Sequence, residues 1–557
     1  MGAGNPWWAN SVFYQAYPRS FADSNGDGVG DLDGVIARLD YLRGLGVDAI
    51  WLNPVTVSPM ADHGYDVADP RDIDPLFGDL AALDRLVAAA HERGIKLTMD
   101  LVPNHTSAAH PWFVEALASA PGGSASLDEG EAKLGPPHRP GGSASLDEGE
   151  AKLGPPHRPG SRARARYFFR DGRGPAGERP PNNWVSVFGG PAWTRVTEPD
   201  GPGQWYLHLF DTSQPDLNWD NPEVLADFEQ TLRFWLDRGV DGFRIDVSHG
   251  MAKPPGLPDM PVTDVELLAH RDDDPRFNQP GVHRIHRAIR AVFDDYPDAV
   301  SVGEVWVHDN ALFAEYLRPD ELHLAFNFRL LQADFDAAGI RDAIENSLAA
   351  VASVGGTPTW ALENHDVQRS VTRYGGGAAG LARARAMALV LLALPGAVFV
   401  YNGQELGLPE VELPDGALQD PVWERSGHTK RGRDGCRVPV PWSGDAPPFG
   451  FSDNPDTWLP MPRDWAPLTV ERQRGDAGSA LTLYQQAIAL RREHVGFGSR
   501  VEWLPAPADV VMFRCGGLVC ALNAGDQPVA RPEGQLILAS APAADGVLPA
   551  NAAAWLI

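Results

Sequence analysis

The sequence predicts an α/β fold: a (β/α)8 TIM barrel with a domain inserted after its third strand and a C-terminal antiparallel β-domain. Short apolar runs alternate with amphipathic helical stretches until eight strand-then-helix units are complete. A long Gly-, Pro- and Arg-rich segment interrupts this series after the third strand. The end of the chain holds short strands and no long helix.

The first strand falls within Val12–Phe21. Leu32–Leu45 follows, with Leu32, Val35, Ile36, Leu39 and Leu42 on a helical period. Val47–Val55 is the second strand, Leu80–Arg93 its helix, and Ile95–Asn104 the third strand. The series resumes with helix Pro222–Arg238, strand Val240–Val247, helix Gly281–Asp295 and strand Ala299–Val307. A short helix at Ala311–Leu317 leads to strand Leu322–Phe328, then helix Ile340–Val351 and strand Thr357–Asn364. Helix Leu381–Leu394, strand Ala397–Gln404 and helix Ala480–Arg492 complete the set. The expected divisions are barrel 1–104, inserted domain 105–212, barrel 213–495 and terminal β-domain 496–557. The inserted domain carries strand-like Gln204–Phe210, and the terminal domain Val510–Cys515, Gly517–Asn523 and Gln535–Ala539.

Within the insertion, Gly122–Pro140 recurs unchanged as Gly141–Pro159. The unit's only sizeable apolar residues are Leu127 and Leu134, with Leu146 and Leu153 in the copy. It therefore lacks the hydrophobic face that stacked repeats require and reads as a mobile surface loop without a catalytic role.

The 557 residues carry a net charge of −27, which opposes binding to nucleic acid or anionic membranes. Three cysteines, Cys436, Cys515 and Cys520, make no disulfide framework for a chain this long and fit a reducing compartment. Met1–Asn10 has neither a basic n-region nor an apolar h-region. The longest apolar run, Ala384–Tyr401, is broken by Arg385, Pro395 and Gly396. The expectation is a soluble cytoplasmic protein, a monomer or small homo-oligomer, acting on a small molecule.

Polar clusters end four of the expected strands: Asp100–His105 (DLVPNH), Gly242–Val247 (GFRIDV), Gly303–Trp306 (GEVW) and Glu363–Asp366 (ENHD). That edge of a barrel forms the active-site face, and charges in apolar strands are costly unless paired or functional. Arg244 and Asp246, two residues apart, point to one side of their strand, where the guanidinium is expected to hold the carboxylate ionised as a nucleophile requires. An ion pair stabilising the barrel mouth is the alternative. Glu304 stands in an otherwise apolar strand, a setting that suits a group which first donates and then accepts a proton. Two carboxyls facing each other across a small pocket equip a site for retaining glycoside hydrolysis. Asp366, beside His365, could grip sugar hydroxyls and stabilise positive charge at the reacting carbon. No His-x₃-His or Cys-x₂-Cys spacing accompanies it, so no cofactor is expected in catalysis. Separately, Asp23, Asn25, Asp27, Val29 (through its carbonyl) and Asp31 open a calcium-loop pattern, but Gly34 stands where an EF-hand places its closing glutamate. A structural Ca²⁺ (or Mg²⁺) is expected on this loop; an Asx-rich turn is the alternative.

At these clusters the chain resembles the α-amylase superfamily, glycoside hydrolase family thirteen, and Gln214-Pro-Asp-Leu-Asn218 matches a further family signature. The resemblance spans barrel, inserted B domain and C-terminal β-domain. It implies a retaining double displacement with Asp246 as nucleophile, Glu304 as acid/base and Asp366 as transition-state stabiliser. It also implies that Asp66 and Tyr65, in His63-Gly-Tyr65-Asp66, line the glucose subsite with His105, Arg244 and His365. Trp8–Gln15, the calcium-like loop and Gly432–Arg437 resemble exo-acting bacterial α-glucosidases, in which the arginine matching Arg433 joins the aspartate matching Asp66 in reading the non-reducing end. Val247 is the residue type found in relatives that cut α-1,6 bonds, whereas His249-Gly-Met251 resembles enzymes acting on maltose-type substrates. The reading is an α-1,4-specific exo-α-glucosidase, with an oligo-1,6-glucosidase, a transglucosidase or a sugar isomerase as alternatives.

Overall fold

Alternation within each short strand builds the barrel. In β1 (Val12–Ala16), Val12 and Tyr14 pack outward against helices while Phe13 joins the barrel interior. In β2 (Ala49–Leu52) the inward pair is Ala49 and Trp51. β3 (Lys96–Leu101) turns Leu97, Met99 and Leu101 outward, and β4 (Gly242–Ile245) does the same with Phe243 and Ile245. Val300 and Val302 of β5 (Val300–Glu304), Leu324 and Phe326 of β6 (Leu324–Phe326), Ala361 of β7 (Thr359–Ala361), and Ala397 and Phe399 of β8 (Ala397–Tyr401) complete the interior. Phe13 and Phe399 stack there with ring centroids 4.5 Å apart.

The eight strands form one parallel sheet in which β1 to β6 follow in chain order and β7 and β8 close back onto β1. Across the β6–β7 seam the Thr359 hydroxyl donates to the Ala325 carbonyl. Gly242 opens β4 with φ +152, and a Cβ there would lie 2.0 Å from the Val300 carbonyl oxygen, so only glycine lets β4 approach β5 this closely.

The computed structural model describes residues 6–119, 161–198, 201–261, 271–542 and 544–557. The tandem repeat at 122–159 lies outside the described residues. Most of the barrel strands are shorter than expected, and two differences have a local cause. The first strand ends at Ala16 because Pro18, which lacks an N–H, opens a 3-10 turn at Pro18–Ser20. The helix expected over Leu32–Leu45 is two, Leu32–Ala37 and Leu39–Leu45, broken at Arg38, whose guanidinium lies 4.3 Å from the Trp442 ring centroid. Side chains cap several helices: Asp79 accepts from the Ala82 amide before Leu80–Glu92, and Asn221 from the Glu223 amide before Pro222–Asp237.

Within the insertion, Phe169–Arg170, Gly201–Leu207 and Trp193–Glu198 form a three-stranded antiparallel sheet. Its apolar cluster includes Trp184, Trp193 and Leu209 and runs on into Val247, Leu257 and Phe277 of the barrel's fourth strand-to-helix connection. The terminal domain is a five-stranded antiparallel sheet in which Ala552–Leu556 lies between Leu518–Asn523 and Leu536–Ala539. Helix Gly377–Ala393 is buried all along its second half, and Trp555 of that sheet donates its indole N–H to the Leu389 carbonyl at 3.0 Å. This two-sided burial accounts for the long apolar run. Among the described residues no helix is long and apolar enough to cross a membrane.

One buried cation ties the end of this helix to the rest of the barrel. Arg491 donates to the carbonyls of Leu392, Leu394 and Gly396 and to the Asn10 side chain. Arg491→Met keeps the volume and orphans these acceptors. Urea denaturation should show a loss of about 3 kcal/mol, with KM unchanged; an unaltered midpoint contradicts the assignment.

Candidate active site

Beyond the apolar interior, the next inward position of several strands is polar: Gln15 follows Phe13, Arg244 follows Gly242 and Glu304 follows Val302. Asp100 pairs in register with Arg244, and Arg244 with Val302. The Arg244 guanidinium is buried and touches three carboxylates. Its Nη1 lies 2.9 Å from Asp100 Oδ1 and 2.6 Å from Asp246 Oδ1, and its Nη2 lies 2.7 Å from Glu304 Oε2. Glu304 also accepts from the Trp306 indole N–H at 2.8 Å and the Val247 amide at 3.0 Å. That amide comes from a strained residue: Val247, β-branched, sits at φ 43, in the left-handed region such side chains avoid.

Burial pushes Asp246 well above the ordinary carboxylate range; Arg244 opposes this, while Glu304 and Asp100 reinforce it. This corrects the expectation that Arg244 simply holds Asp246 ionised. One guanidinium shared among three buried carboxylates does not neutralise them all, so its pull on Asp246 falls short of the cost of burial. Asp366 is the contrary case. Burial alone would raise it, but His365, Arg433, Arg437 and Arg244 outweigh burial and hold it well below the usual range. Arg433 Nη1 and Arg437 Nη2 each lie 3.0 Å from its Oδ1, and His365 Nε2 lies 3.3 Å from its Oδ2.

The side chains lining the pocket at these groups include Asp62, Tyr65, His105, Asp246, Glu304, His365, Asp366 and Arg433. Val187, Phe188, Phe210, Val247, His249, Phe277 and Trp306 line the rest. Tyr65 stacks on His365 at 5.3 Å, and burial pushes His365 well below its ordinary value. His105 Nε2 lies 3.1 Å from the Tyr65 carbonyl, and burial lowers its imidazole to about 4. Arg244 lies behind the carboxylates it holds. Thus Tyr65, His105, Val247, His365, Asp366 and Arg433 are brought to one pocket with Asp246 and Glu304.

Asp66 is not. It is fully buried and accepts from the Ser58 hydroxyl and the Ala61 and Asp62 amides, closing the turn in which it sits. Asp62 takes the place expected of it, with Oδ1 2.9 Å from Arg433 Nη2 and Oδ2 accepting from Gln214 Nε2 at 3.0 Å. The turn explains the exchange: Met60 and His63 both have positive φ, and the chain reverses between the two aspartates. Both acids flank the same short motif, so its residue types alone did not distinguish them. The apolar rings of the lining, Phe188, Phe210 and Phe277, carried no spacing signal, because two of them belong to the insertion and the third to a distant connection.

The first loop curls as a chain of Asx turns. Asp23 accepts from the amides of Asn25, Gly26 and Gly28, Asn25 from that of Asp27, and Asp27 from that of Val29. Asp31 accepts from the Ser24 and Gly34 amides and caps helix Leu32–Ala37. Among the described residues no three His, Cys, Asp or Glu side chains gather as a metal-ligating group. A cation here would need the Asn25 amide oxygen and Val29 carbonyl beside the carboxylates, an all-oxygen set that fits a hard ion.

Residues 15–497 match the family described as alpha amylase, catalytic domain. The chain belongs to the α-amylase family. It is a glycoside hydrolase, and all four strand-end clusters lie inside the matched residues. Among its relatives is a probable alpha-glucosidase of Rhizobium meliloti, 36% identical over 549 residues, covering 94% of this chain and 90% of the relative. An oligo-1,6-glucosidase of Parageobacillus thermoglucosidasius is 34% identical over 523 residues, covering 88% and 84%. Among solved structures, the alpha-glucosyl transfer enzyme XgtA matches with a TM-score of 0.83 and 38% identity, over 100% of both chains.

Burial raises Asp62 to about 7, against the pull of Arg433. Stability from this carboxyl is fully present below its unfolded value near 4 and is lost as pH rises through about 7. Asp62→Asn, always neutral, should therefore gain thermal stability over the parent, and the gain should grow between pH 5 and pH 8. The same substitution should raise KM for maltose by about tenfold or more through the lost charged hydrogen bonds. Asp66→Asn should change the melting temperature with little change in KM, and the reverse pattern would restore Asp66 to the pocket.

Proposed function

We propose that the chain is a retaining exo-α-glucosidase that removes terminal, non-reducing α-1,4-linked glucose from maltose and short oligosaccharides. The observation that carries this reading is the single guanidinium bonded to both Asp246 and Glu304 at the base of a pocket. A guanidinium that bonds both carboxyls holds them close to one another, and a retaining enzyme needs its two carboxyls closer together than an inverting one does.

Asp246 attacks the anomeric carbon as the bond to the glycosidic oxygen breaks, and Glu304 passes its proton to that oxygen, freeing the leaving sugar. The glucosyl ester on Asp246 is then attacked by water; Glu304 takes the water's proton and Asp246 departs as carboxylate. Chemistry begins with Asp246 ionised and the proton on Glu304. Asp366, held ionised by its arginines, faces the positive charge that develops on the sugar ring. Arg433, shared by Asp62, Asp366 and Asp420, supports recognition of a chain end, because these groups would satisfy a terminal hydroxyl that a longer glucan has substituted.

Transfer to a sugar acceptor is the second reading. The similarity to an alpha-glucosyl transfer enzyme supports it, and so do the apolar rings of Phe188, Phe210 and Phe277 in the pocket lining, which would help to exclude water. Rates on maltose, isomaltose, sucrose and trehalose, with products resolved, separate the readings. Maltose should be cleaved fastest, with glucose as the main product; faster turnover of isomaltose would assign the α-1,6 linkage instead. Asp246→Ala and Glu304→Gln should each lower kcat/KM by at least about 10⁴-fold.

The proposal extends to a Ca²⁺ or Mg²⁺ on Asp23, Asn25, Asp27, the Val29 carbonyl and Asp31, serving the loop and no chemical step, and to a soluble cytoplasmic monomer or small homo-oligomer. Chelation should lower the melting temperature by about 5 °C, with recovery on adding Ca²⁺. Asp27→Ala should abolish that response; a chelator-insensitive parent would leave the loop a metal-free Asx turn.

A further inference from the structure

His365 contacts Asp366 and Tyr65, and its other ring nitrogen meets a side chain from a different part of the barrel. Gln15, at the inner end of β1 and 1% exposed, places Nε2 2.8 Å from His365 Nδ1 and 2.9 Å from Asn53 Oδ1. Which nitrogen of His365 bears hydrogen follows from the donors and acceptors around it, worked outward from Asp100.

The Arg244 guanidinium and the Trp51 indole N–H only donate, and they reach the two oxygens of Asp100, so both oxygens accept. Asn53 Nδ2 lies 3.3 Å from Asp100 Oδ2 and 2.8 Å from the Tyr65 hydroxyl. Reversing that amide would set its oxygen against a carboxylate, so the Asn53 oxygen faces Gln15. Reversing Gln15 would likewise oppose two amide oxygens, so its NH₂ faces both Asn53 and His365. His365 Nδ1 is therefore an acceptor, and the ring hydrogen is on Nε2. The Tyr65 hydroxyl, donating to Asp100 at 3.0 Å, accepts from that Nε2–H at 2.6 Å.

We infer that Gln15 is a positioning residue that fixes His365 as the Nε2–H tautomer, presenting one oriented donor at the pocket wall beside Asp366. Its place in the reaction rests on the double displacement proposed above, whereas the tautomer itself does not. The N–H points toward Tyr65 and Asp366 rather than back into the barrel, and a ring nitrogen that accepts from an amide cannot also carry a proton. A Glu in place of Gln15 removes the donor and supplies an acceptor, which draws a hydrogen onto Nδ1.

The test compares the parent with Gln15→Glu and Gln15→Met, using protein labelled with ¹⁵N-histidine and the His365 signals assigned by their loss in His365→Asn. The parent should show a bare Nδ1 and a protonated Nε2, and Gln15→Glu should show a protonated Nδ1. Both Gln15 variants should lose about 10²-fold in kcat/KM on maltose, carried mainly by kcat, while thermal unfolding of Gln15→Met stays close to the parent. A parent His365 protonated at Nδ1 overturns the inference, as does a Gln15→Glu spectrum and kcat matching the parent. If Gln15→Glu does not fold, the parent spectrum and Gln15→Met decide. A parent with the stated tautomer that turns over no α-glucoside would count against the proposed function and leave the tautomer standing.

Discussion

One cation organises the barrel mouth. Arg244 is buried among Asp100, Asp246 and Glu304, and a guanidinium so placed is stable only while those carboxylates surround it. Three strands, β3, β4 and β5, are thereby held in one register at their C-terminal ends, and the pocket floor acquires a fixed spacing. The same arrangement leaves more negative charge than the guanidinium balances, so protonation and geometry are set together. Val247, with its positive φ, belongs to this arrangement, since its backbone amide donates to Glu304.

A second group of arginines does the opposite for Asp366. Arg433 and Arg437 both approach one oxygen of that carboxylate. The pocket thus holds one carboxyl driven toward protonation by burial and another held ionised by excess positive charge. Burial and neighbouring charge thereby act on two carboxyls of one pocket in opposite senses.

Much of this was legible in the chain. All eight strands lie within the apolar runs that predict them, and their helices follow, the first in two pieces, because inward and outward residues obey a simple period. The polar strand-end clusters were legible for the same reason: Arg244, Asp246 and Glu304 stand out against apolar neighbours. Two kinds of feature were not. Turn geometry separated Asp62 from Asp66, and positive φ at Met60 and His63 decided the matter without altering the motif's residue types. The charge state of Asp246 depends on Asp100, far away in the chain, so a local reading of Arg244 beside Asp246 counted one carboxylate where three compete.

Helix Gly377–Ala393 is sheathed on one side by the barrel and on the other by the strand Ala552–Leu556, whose Trp555 bonds to it. Synthesis runs from the N-terminus, so this greasy rod leaves the ribosome long before its outer cover exists. Until that strand arrives the nascent barrel displays a sticky flank. The small terminal sheet thereby also covers apolar surface that the barrel by itself would leave bare.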